Sequence, residues 1–296
     1  MGFLQALAGP LSYIIRPIYE WTENYGVTLI LATLIIKIIT IPLTIKSQKN
    51  MSKTQLIQPE INKIQAKYKN DREKLAIEMQ KLYKQYDVNP MGGCLPLIIQ
   101  MFVLFGFIGV IYHPFEYILQ VSKGELDAIS KAMFDGKVLQ ETSMWGNADV
   151  VKEVAAAAKG AIKEIKFDFF GIDLAKMPSS SPKEWTVWIF PVLATASTFL
   201  SSYLTKKQQP KPATTANGEQ APNTGNMMLK IMPFMTAFFT YTMPIGMSLY
   251  WTVSTVTQLI QQAVMDKFIK DKIKGQIEEK QAIIIENKEK RHPKKH

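Results

Sequence analysis

Residues 27–45 read VTLILATLIIKIITIPLTI, an apolar run of the length that one membrane crossing requires. About 20 predominantly apolar residues in an α-helix cross a hydrocarbon core of roughly 30 Å. Two residues depart from the pattern, Lys37 and Pro42. The run therefore predicts a transmembrane helix that carries polar features which a purely lipid-facing helix would not need.

Further apolar blocks are separated by charged segments along the rest of the chain. The last block covers residues 229–265, which is too long for one crossing, and Pro244 and Gly246 divide it. The remaining predicted spans are therefore 94–112, 185–204, 229–243 and 247–265. Because helices satisfy their own backbone hydrogen bonds in lipid, the sequence predicts an all-α membrane protein with five transmembrane helices.

The segments outside the spans have different compositions. Residues 46–90 are rich in charge, with apolar residues at a helical period, and predict a helical hairpin whose second helix Asn70 could cap. Residues 1–25 carry apolar residues at near-helical spacing, which predicts an amphipathic helix in the membrane interface. Residues 113–184 are polar without a positive excess and are expected to form an extracytoplasmic region, with a helix around 147–165.

The distribution of charge predicts the topology. The chain has a net charge of +10, and the basic excess lies in 46–90, in a flexible loop at 205–228 and in the tail at 266–296. Short basic segments remain on the cytoplasmic side of a membrane. We therefore expect the five-span core, 26–265, to lie in a bacterial plasma (inner) membrane, with the N-terminus outside and a solvated, partly disordered tail in the cytoplasm.

Lys37 is the most informative residue of the first span. It lies eight residues from the cytoplasmic end, which is about 12 Å at 1.5 Å per residue. A charge at this depth costs at least about 2.5–3.5 kcal/mol unless it reaches water or a polar partner. Thr33, Thr40 and Thr44 follow the same helix face. This stripe predicts a water-filled cavity.

Other polar residues could face the same cavity. Gln100 is the one strongly polar residue within the second predicted span. In the fifth span, polar side chains including Thr255 and Gln258 run down one side, with Trp251 adjacent. Small polar residues equally serve hydrogen bonds between helices, so this pattern alone leaves both interpretations open.

The sequence also argues against several classes of protein. No Asp or Glu lies well inside a predicted span, whereas ion-coupled transporters usually carry carboxylates there. No phosphate-binding loop, nucleophile elbow or zinc-protease motif occurs, so we expect neither an enzyme nor a cofactor. Cys94 is the single cysteine and the three histidines are scattered, so no metal site is expected.

Five blocks, in order, resemble the YidC/Oxa/Alb family of membrane insertases. The stretch NPMGGCLPLIIQM at 89–101 resembles the beginning of that family's second core span. The other blocks are TLIIKIITIPLTIKSQKNMSKTQLIQPEINKIQAKY, EKLAIEMQKLYKQYDVNP, MMLKIMPFM and PIGMSLYWTVSTVTQLIQQ. The resemblance covers nearly all of 12–265, and without a large extracytoplasmic domain it matches the short, single-domain bacterial form.

This resemblance implies a groove that opens to the cytoplasm and to lipid. Lys37 matches the groove's basic residue, which is usually arginine in the family. Thr33 and Trp251 match positions of substrate contact, and Gln100 matches a groove-side polar position. Phe102 stands where the family often has proline, so the second span is expected to bend less here.

The sequence and the resemblance together predict an insertase that inserts and helps fold membrane proteins, alone or with the secretion channel. The predicted groove residues are Lys37, Thr33, Thr40, Gln100, Trp251, Thr255 and Gln258. Expected partners are nascent membrane proteins and lipids, with a ribosome and the secretion channel as candidates, and no DNA. The basic tail could hold a ribosome or anionic lipid, or could simply be solvated. The alternatives are a small-solute transporter or channel and a structural membrane-assembly subunit.

Overall fold

The computed structural model describes residues 2–69, 71–89, 92, 95–120, 124, 165–208 and 224–291. The chain divides into two compact units. The first comprises Met1–Ile39, Ile99–Ser202 and Leu229–Gln258, and the second comprises Thr40–Ile98, Tyr203–Met228 and Leu259–His296. Nearly all of the helix predicted around 147–165, and most of the 205–228 loop, lie outside the described residues.

Helices make up most of the described chain, as expected for an all-α protein. They are α1 Gly2–Thr22, α2 Tyr25–Leu56, α3 Gln58–Lys67, α4 Arg72–Gln85, α5 Leu95–Tyr112, α6 Pro114–Tyr117, a 3₁₀ helix Trp185–Trp188, α7 Ile189–Gln208, α8 Thr224–Thr242 and α9 Ile245–Arg291. Two short strands, β1 Asp168–Phe169 and β2 Ile172–Asp173, pair antiparallel. Within the described residues, Tyr25–Leu56 and Trp185–Lys207 are long and apolar enough to cross a membrane, and Ile98–Tyr112 is a shorter apolar helix.

The first unit is built around one apolar core to which α1 contributes a face. Ala8, Ile15 and Tyr19 are buried there, and their spacing of seven and four residues places them on one side of the helix. Tyr13 and Trp21 on the same helix are exposed. The helix predicted at 1–25 is therefore present, with one buried face and one exposed face.

The predicted break within residues 229–265 occurs at Pro244, where α8 has ended and α9 begins. A helix leaves its first amide groups without partners inside the helix. Here the amides of Ile245 and Gly246 donate to the carbonyls of Lys176 and Leu174, both at 2.9 Å. The segment that follows β2 therefore caps the start of α9 with main-chain acceptors.

The aromatic segment FDFFGIDLAKMP forms the small hairpin β1–β2. Phe170 and Gly171 connect the strands with φ values of 53° and 77°, the left-handed conformation that two-residue hairpin turns favour. Phe170 is 89% exposed at the tip, whereas Phe169 is buried. The Phe169 ring lies against Gly26 in α2, at a point where a Cβ on residue 26 would overlap the ring.

Two buried hydroxyl groups of the first unit have no hydrogen-bond partner among the described residues. They belong to Tyr25 at the start of α2 and Ser248 in the first turn of α9, and both side chains are fully buried. Burying a hydroxyl without a partner costs about 1–3 kcal/mol. The apolar packing around these two residues therefore outweighs an unfavourable contribution from each hydroxyl.

The second unit contains α3 and α4, which share one apolar cluster and lie within the segment 46–90 where a helical hairpin is predicted; we call this pair of helices the hairpin. Two details differ from the expectation. Helix α2 continues to Leu56, so the first turns of the 46–90 segment extend that helix rather than beginning the hairpin. Asp71 is the N-cap of α4, since its side chain accepts from the amide of Lys74 at 3.0 Å, so the cap is not Asn70, which lies outside the described residues.

The end of α4 adopts a Schellman motif. The amide of Asp87 donates to the carbonyl of Lys84 at 3.3 Å, and that of Val88 donates to the carbonyl of Tyr83 at 2.9 Å. Asp87 has a φ of 49°, the left-handed conformation that this position requires. Aspartate tolerates this conformation better than most residues with a Cβ. The motif turns the chain so that Val88 enters the same apolar cluster against which Tyr83 packs.

The tail expected to be solvated and partly disordered is instead helical as far as Arg291. Ile273 and Ile277, one turn apart, are buried in the apolar cluster of the hairpin. That cluster also contains Ile57, Ile61, Leu82, Tyr86 and Val88. The prediction was wrong because the many charges of the tail obscured an apolar stripe with a helical period.

Candidate functional site

Four polar residues of the first unit meet among apolar helices. Lys37 Nζ donates to Gln100 Oε1 at 3.0 Å, which joins α2 to α5. Gln100 Nε2 donates in turn to the hydroxyls of Tyr250 at 2.8 Å and Ser254 at 3.3 Å, which joins α5 to α9. The result is a continuous chain of hydrogen bonds across three helices, which we call the lysine–glutamine cluster.

The register of α5 and α9 brings these groups together. Gln100 and Phe107 are seven residues apart on α5, and therefore lie on the same face. The Tyr250 ring stacks on Phe107 with centroids 4.3 Å apart, and its hydroxyl extends to Gln100. Ser254 follows Tyr250 by one helical turn and reaches the same amide. The stacking of Tyr250 on Phe107 and the hydrogen bonds from Gln100 thus both hold the same face of α9 against α5.

The cluster is more enclosed on the α9 side than at the lysine. Tyr250 and Ser254 are 1% and 3% exposed, whereas Lys37 and Gln100 are only half-buried. A hydrogen bond from an ammonium group to an amide oxygen is charge-assisted and stronger than one between neutral groups. Gln100 therefore stabilises the positive charge of Lys37 without neutralising it.

Of the predicted groove residues, Lys37 and Gln100 are in contact, and Thr33 has a different environment. Thr33 is one turn before Lys37 and is 2% exposed. Its hydroxyl donates to the carbonyl of Leu29 in the same helix at 2.6 Å. Thr and Ser commonly satisfy their hydroxyl groups in this way within helices. The Thr33 side chain thus lies in the packed interior of the unit.

The other four predicted residues are outside the lysine–glutamine cluster. Thr40 is half-buried and belongs to the second unit, where its carbonyl accepts from the Thr44 hydroxyl at 3.0 Å. Trp251 is half-buried and packs against the core of the first unit. Thr255 is half-buried and Gln258 is exposed, one and two turns after Trp251 on α9.

Sequence reasoning missed Tyr250 and Ser254. They lie within the quoted stretch PIGMSLYWTVSTVTQLIQQ, and their four-residue spacing was visible. Tyrosine and serine are ordinary residues in membrane helices, so neither one drew attention as Lys37 did. Within the described residues no group of three or more His, Cys, Asp or Glu side chains could hold a metal ion.

Comparisons with known proteins agree on one family. The sequence model of a family described as 60Kd inner membrane protein matches residues 17–272. The chain is 32% identical over 271 residues to a protein of Treponema denticola named membrane protein insertase YidC, with 91% of this chain and 39% of that protein covered.

Proteins with the same name from Wolinella succinogenes and Rickettsia massiliae are 31% and 27% identical to the chain. The alignments cover 92% and 90% of this chain, and 39% and 40% of those proteins. The chain thus spans about two fifths of the length of these curated relatives.

Proposed function

The chain belongs to the 60Kd inner membrane protein family, and from this membership we propose that it inserts and helps fold integral membrane proteins. The matched relatives are named membrane protein insertases. No bond chemistry is needed for this activity. The protein has only to lower the free energy of bringing polar groups of a substrate into a low-dielectric layer.

The observation that carries the proposal is the contact between Lys37 and Gln100. Lys37 lies in the apolar stretch 27–45 of α2 and Gln100 lies in the apolar helix α5, and both side chains are half-buried. Maintaining a charge there costs several kcal/mol unless the site is polar or hydrated. A hydrated groove that carries one positive charge would offer hydrogen-bond donors to the carbonyls and carboxylates of an incoming polypeptide.

We place the remaining predicted residues in this scheme according to their exposure. Thr255 and Gln258 would extend the polar surface of the groove along α9, and Trp251 would border it. Thr33 would support the helix from within, since it is buried and bonded to its own backbone. The assignment of Thr40 to the groove stays a prediction.

The topology proposed for this function follows the charge distribution. Five spans lie within 26–265, with α1 in the outer interface and the hairpin in the cytoplasm, where it would receive substrate. The C-terminal segment is also cytoplasmic, and its basic end would attract a ribosome or anionic lipid by counterion release. The secretion channel is a further candidate partner.

Reconstitution tests the proposed function directly. The purified protein is placed in liposomes of phosphatidylethanolamine and phosphatidylglycerol, and a single-span substrate with a short translocated tail is synthesised in their presence. Protection of the tail from added protease measures insertion. We expect protection well above that in protein-free liposomes and in liposomes with the Lys37→Ala variant.

Two results would oppose the proposal. Equal protection of the translocated tail with and without the protein would contradict the insertase function. Flux of a small solute through the protein, without insertion of the substrate, would instead favour a transporter or channel. Depletion of the protein in cells complements this test. Normal insertion of small membrane-protein substrates after complete depletion would likewise contradict the insertase function.

A further inference from the structure

We propose that the β1–β2 hairpin is a lipid anchor, and that its tip residue Phe170 inserts its ring into the membrane leaflet where α2 and α7 begin. The partner is the zone between lipid headgroups and acyl chains, which aromatic side chains favour. This role is independent of the insertase function and requires only the membrane location of the family. With the topology proposed above, the leaflet is the outer one.

The β1–β2 hairpin lies where two apolar helices begin. The amide of Tyr25, the first residue of α2, donates to the carbonyl of Lys166 just before β1 at 3.1 Å. On the other side, the Phe169 ring lies 6.2 Å from the Phe190 ring of α7, measured between centroids. The stretches that begin here are long and apolar enough to cross a membrane. Their first turns mark a membrane boundary, so the β1–β2 hairpin lies at that boundary.

Phe170 is poorly suited to an exposed turn in water. Phe170 and Gly171 have φ values of 53° and 77°, and two-residue turns of this kind prefer asparagine or aspartate followed by glycine. A bulky residue with a positive φ is uncommon. The Phe169 ring, with its centroid 4.7 Å away, leaves the Phe170 side chain 89% exposed. Burial of this ring in lipid would stabilise a residue that neither the turn nor water favours.

Two further aromatic side chains near this boundary are exposed. Trp21, four residues before α2 begins, is 80% exposed, and Trp185, at the beginning of the other apolar stretch, is 75% exposed. Tryptophan concentrates at membrane–water interfaces because its ring is amphipathic. From Trp185, exposed apolar side chains continue along α7 at Val192 and Leu193. The tip of the β1–β2 hairpin therefore lies near the beginning of a surface suited to lipid.

The charges around the β1–β2 hairpin indicate which lipids it can bind. In residues 165–185 the basic side chains are matched in number by the acidic ones, and they are Lys166, Lys176, Lys183, Asp168, Asp173 and Glu184. Anionic lipids attract segments with an excess of basic residues. Without such an excess the anchor depends on apolar contact, so it should form equally well on phosphatidylcholine alone and on mixtures with phosphatidylglycerol.

Amide hydrogen exchange of residues 167–174 in lipid nanodiscs tests the anchor without an added probe. Phe170→Asn removes the ring and supplies the residue that the turn prefers, so local structure alone would slow exchange. If lipid holds the ring, this variant should instead exchange about fivefold faster, in nanodiscs of either lipid composition. Phe170→Trp keeps an aromatic ring and should match the wild type. Slower or unchanged exchange in Phe170→Asn would overturn the proposal.

Lys183→Asn is the matched control for this experiment. It replaces an exposed side chain two residues before Trp185 and outside the turn, so exchange of residues 167–174 should not change. Equal acceleration in Lys183→Asn and Phe170→Asn would indicate a general loosening of the region and would contradict an anchor at the tip.

A fluorescent label identifies what surrounds the tip. Cys94 is the single cysteine, so Cys94→Ser gives a background in which Phe170→Cys carries the label. Val192→Cys, on the exposed apolar side of α7, is the lipid reference, and Lys74→Cys, on the charged helix α4, is the water reference. We expect the label at 170 to be quenched by a lipid with a spin label near its headgroup, and only weakly by iodide in the buffer.

The other outcomes name the other possible surroundings. Quenching by iodide alone would place residue 170 in water, and quenching by neither agent would mean that protein covers it. Either result would refute the lipid anchor. Thermal unfolding checks that each variant is folded, and the exchange experiment, which keeps Cys94, decides the question if Cys94→Ser does not fold.

Discussion

The Tyr86 hydroxyl donates to Glu60 Oε1 at 2.6 Å, and through this bond the end of α4 is attached to the first turn of α3. The same carboxylate oxygen accepts from Gln281 Nε2 of α9 at 3.2 Å. Glu60 therefore connects all three helical segments at the border of the apolar cluster. Burial, and then the hydrogen bond to Glu60, raise the pKa of Tyr86, so its hydroxyl stays protonated and able to donate at physiological pH.

We predict that Tyr86→Phe loosens the hairpin. The variant keeps the ring in the cluster and removes only a hydrogen bond to a charged acceptor, a contribution of about 1.5–3 kcal/mol. Amide hydrogen exchange in residues 58–85 and 273–284 should accelerate accordingly at pH 7. Tyr83→Phe is the control, because the Tyr83 hydroxyl bonds to none of the described residues and the ring packs against the same cluster. Equal exchange in both variants would contradict this prediction.

Asp87 and Lys280 form an ion pair that joins the end of the hairpin to α9. The packing of α9 on the hairpin should therefore weaken at high salt concentration and at low pH. The hydrogen bond and charge of Lys280 hold the pKa of Asp87 below its usual value. The stabilisation by this ion pair is thus fully present above the ordinary carboxyl pKa of about 3.9. It is lost as the pH falls from that value through the lowered pKa of Asp87, because the carboxylate then becomes protonated.

The variant that tests this pair is Asp87→Asn, which removes the charge and keeps a residue that tolerates a left-handed backbone. We expect faster amide exchange in residues 273–284 at low ionic strength, and little difference from the wild type in 1 M salt. Glu279→Gln removes a neighbouring exposed charge and serves as the control. An effect of Asp87→Asn that persists unchanged in high salt would argue against an ion pair.

Lys37 should be replaceable by arginine but not by alanine. Lys37→Arg keeps the charge and a donor for Gln100 Oε1, so we expect insertion within about twofold of the wild type. Lys37→Ala removes a charge-assisted hydrogen bond and should reduce insertion by about tenfold or more. Insertion into proteoliposomes is the measurement, and Lys183→Ala, which removes an exposed lysine near the start of α7, is the control. Similar insertion by the wild type and by all three variants would contradict a role for the Lys37 charge.

Gly26 is expected to tolerate no side chain. A Cβ there would overlap the buried Phe169 ring, so Gly26→Ala must displace the β1–β2 hairpin or bend α2. Overpacking of this kind costs about 1–3 kcal/mol, which thermal unfolding in detergent would register as a lower Tm. Gly9→Ala on α1 should be neutral or stabilising, because nothing lies within 4 Å of its Cβ and alanine favours helix. Equal Tm values for the two variants would refute the predicted clash.

Sequence patterns predicted the helical elements because apolar periodicity and proline positions are local properties. The break at Pro244, the hairpin and the helix at 1–25 all depend on such signals. The docking of residues 273–284 depends on Ile273 and Ile277 meeting a surface almost 200 positions earlier in the chain. Spacing alone could not separate that stripe from the charges around it.

The site was predictable only in part, for a related reason. Lys37 and Gln100 stand out because strongly polar groups are costly in apolar helices. Thr33 shares the face of Lys37, yet a threonine hydroxyl can bond within its own helix, and its burial depends on neighbouring helices. Tyr250 was missed because its partner, Gln100, is on another helix and the Phe107 stack that orients it is a tertiary contact.

The hydroxyls of Tyr25 and Ser248, which have no hydrogen-bond partner in the part of the chain that the structure describes, offer a practical route to a more stable protein for experimental imaging. Each is a buried group whose removal eliminates a desolvation penalty and leaves the surrounding apolar contacts in place. Tyr25→Phe and Ser248→Ala avoid the lysine–glutamine cluster, so a thermostable sample made with them should still display the native arrangement of Lys37 and Gln100. Such a sample would suit electron microscopy, where small membrane proteins are often lost to unfolding during grid preparation.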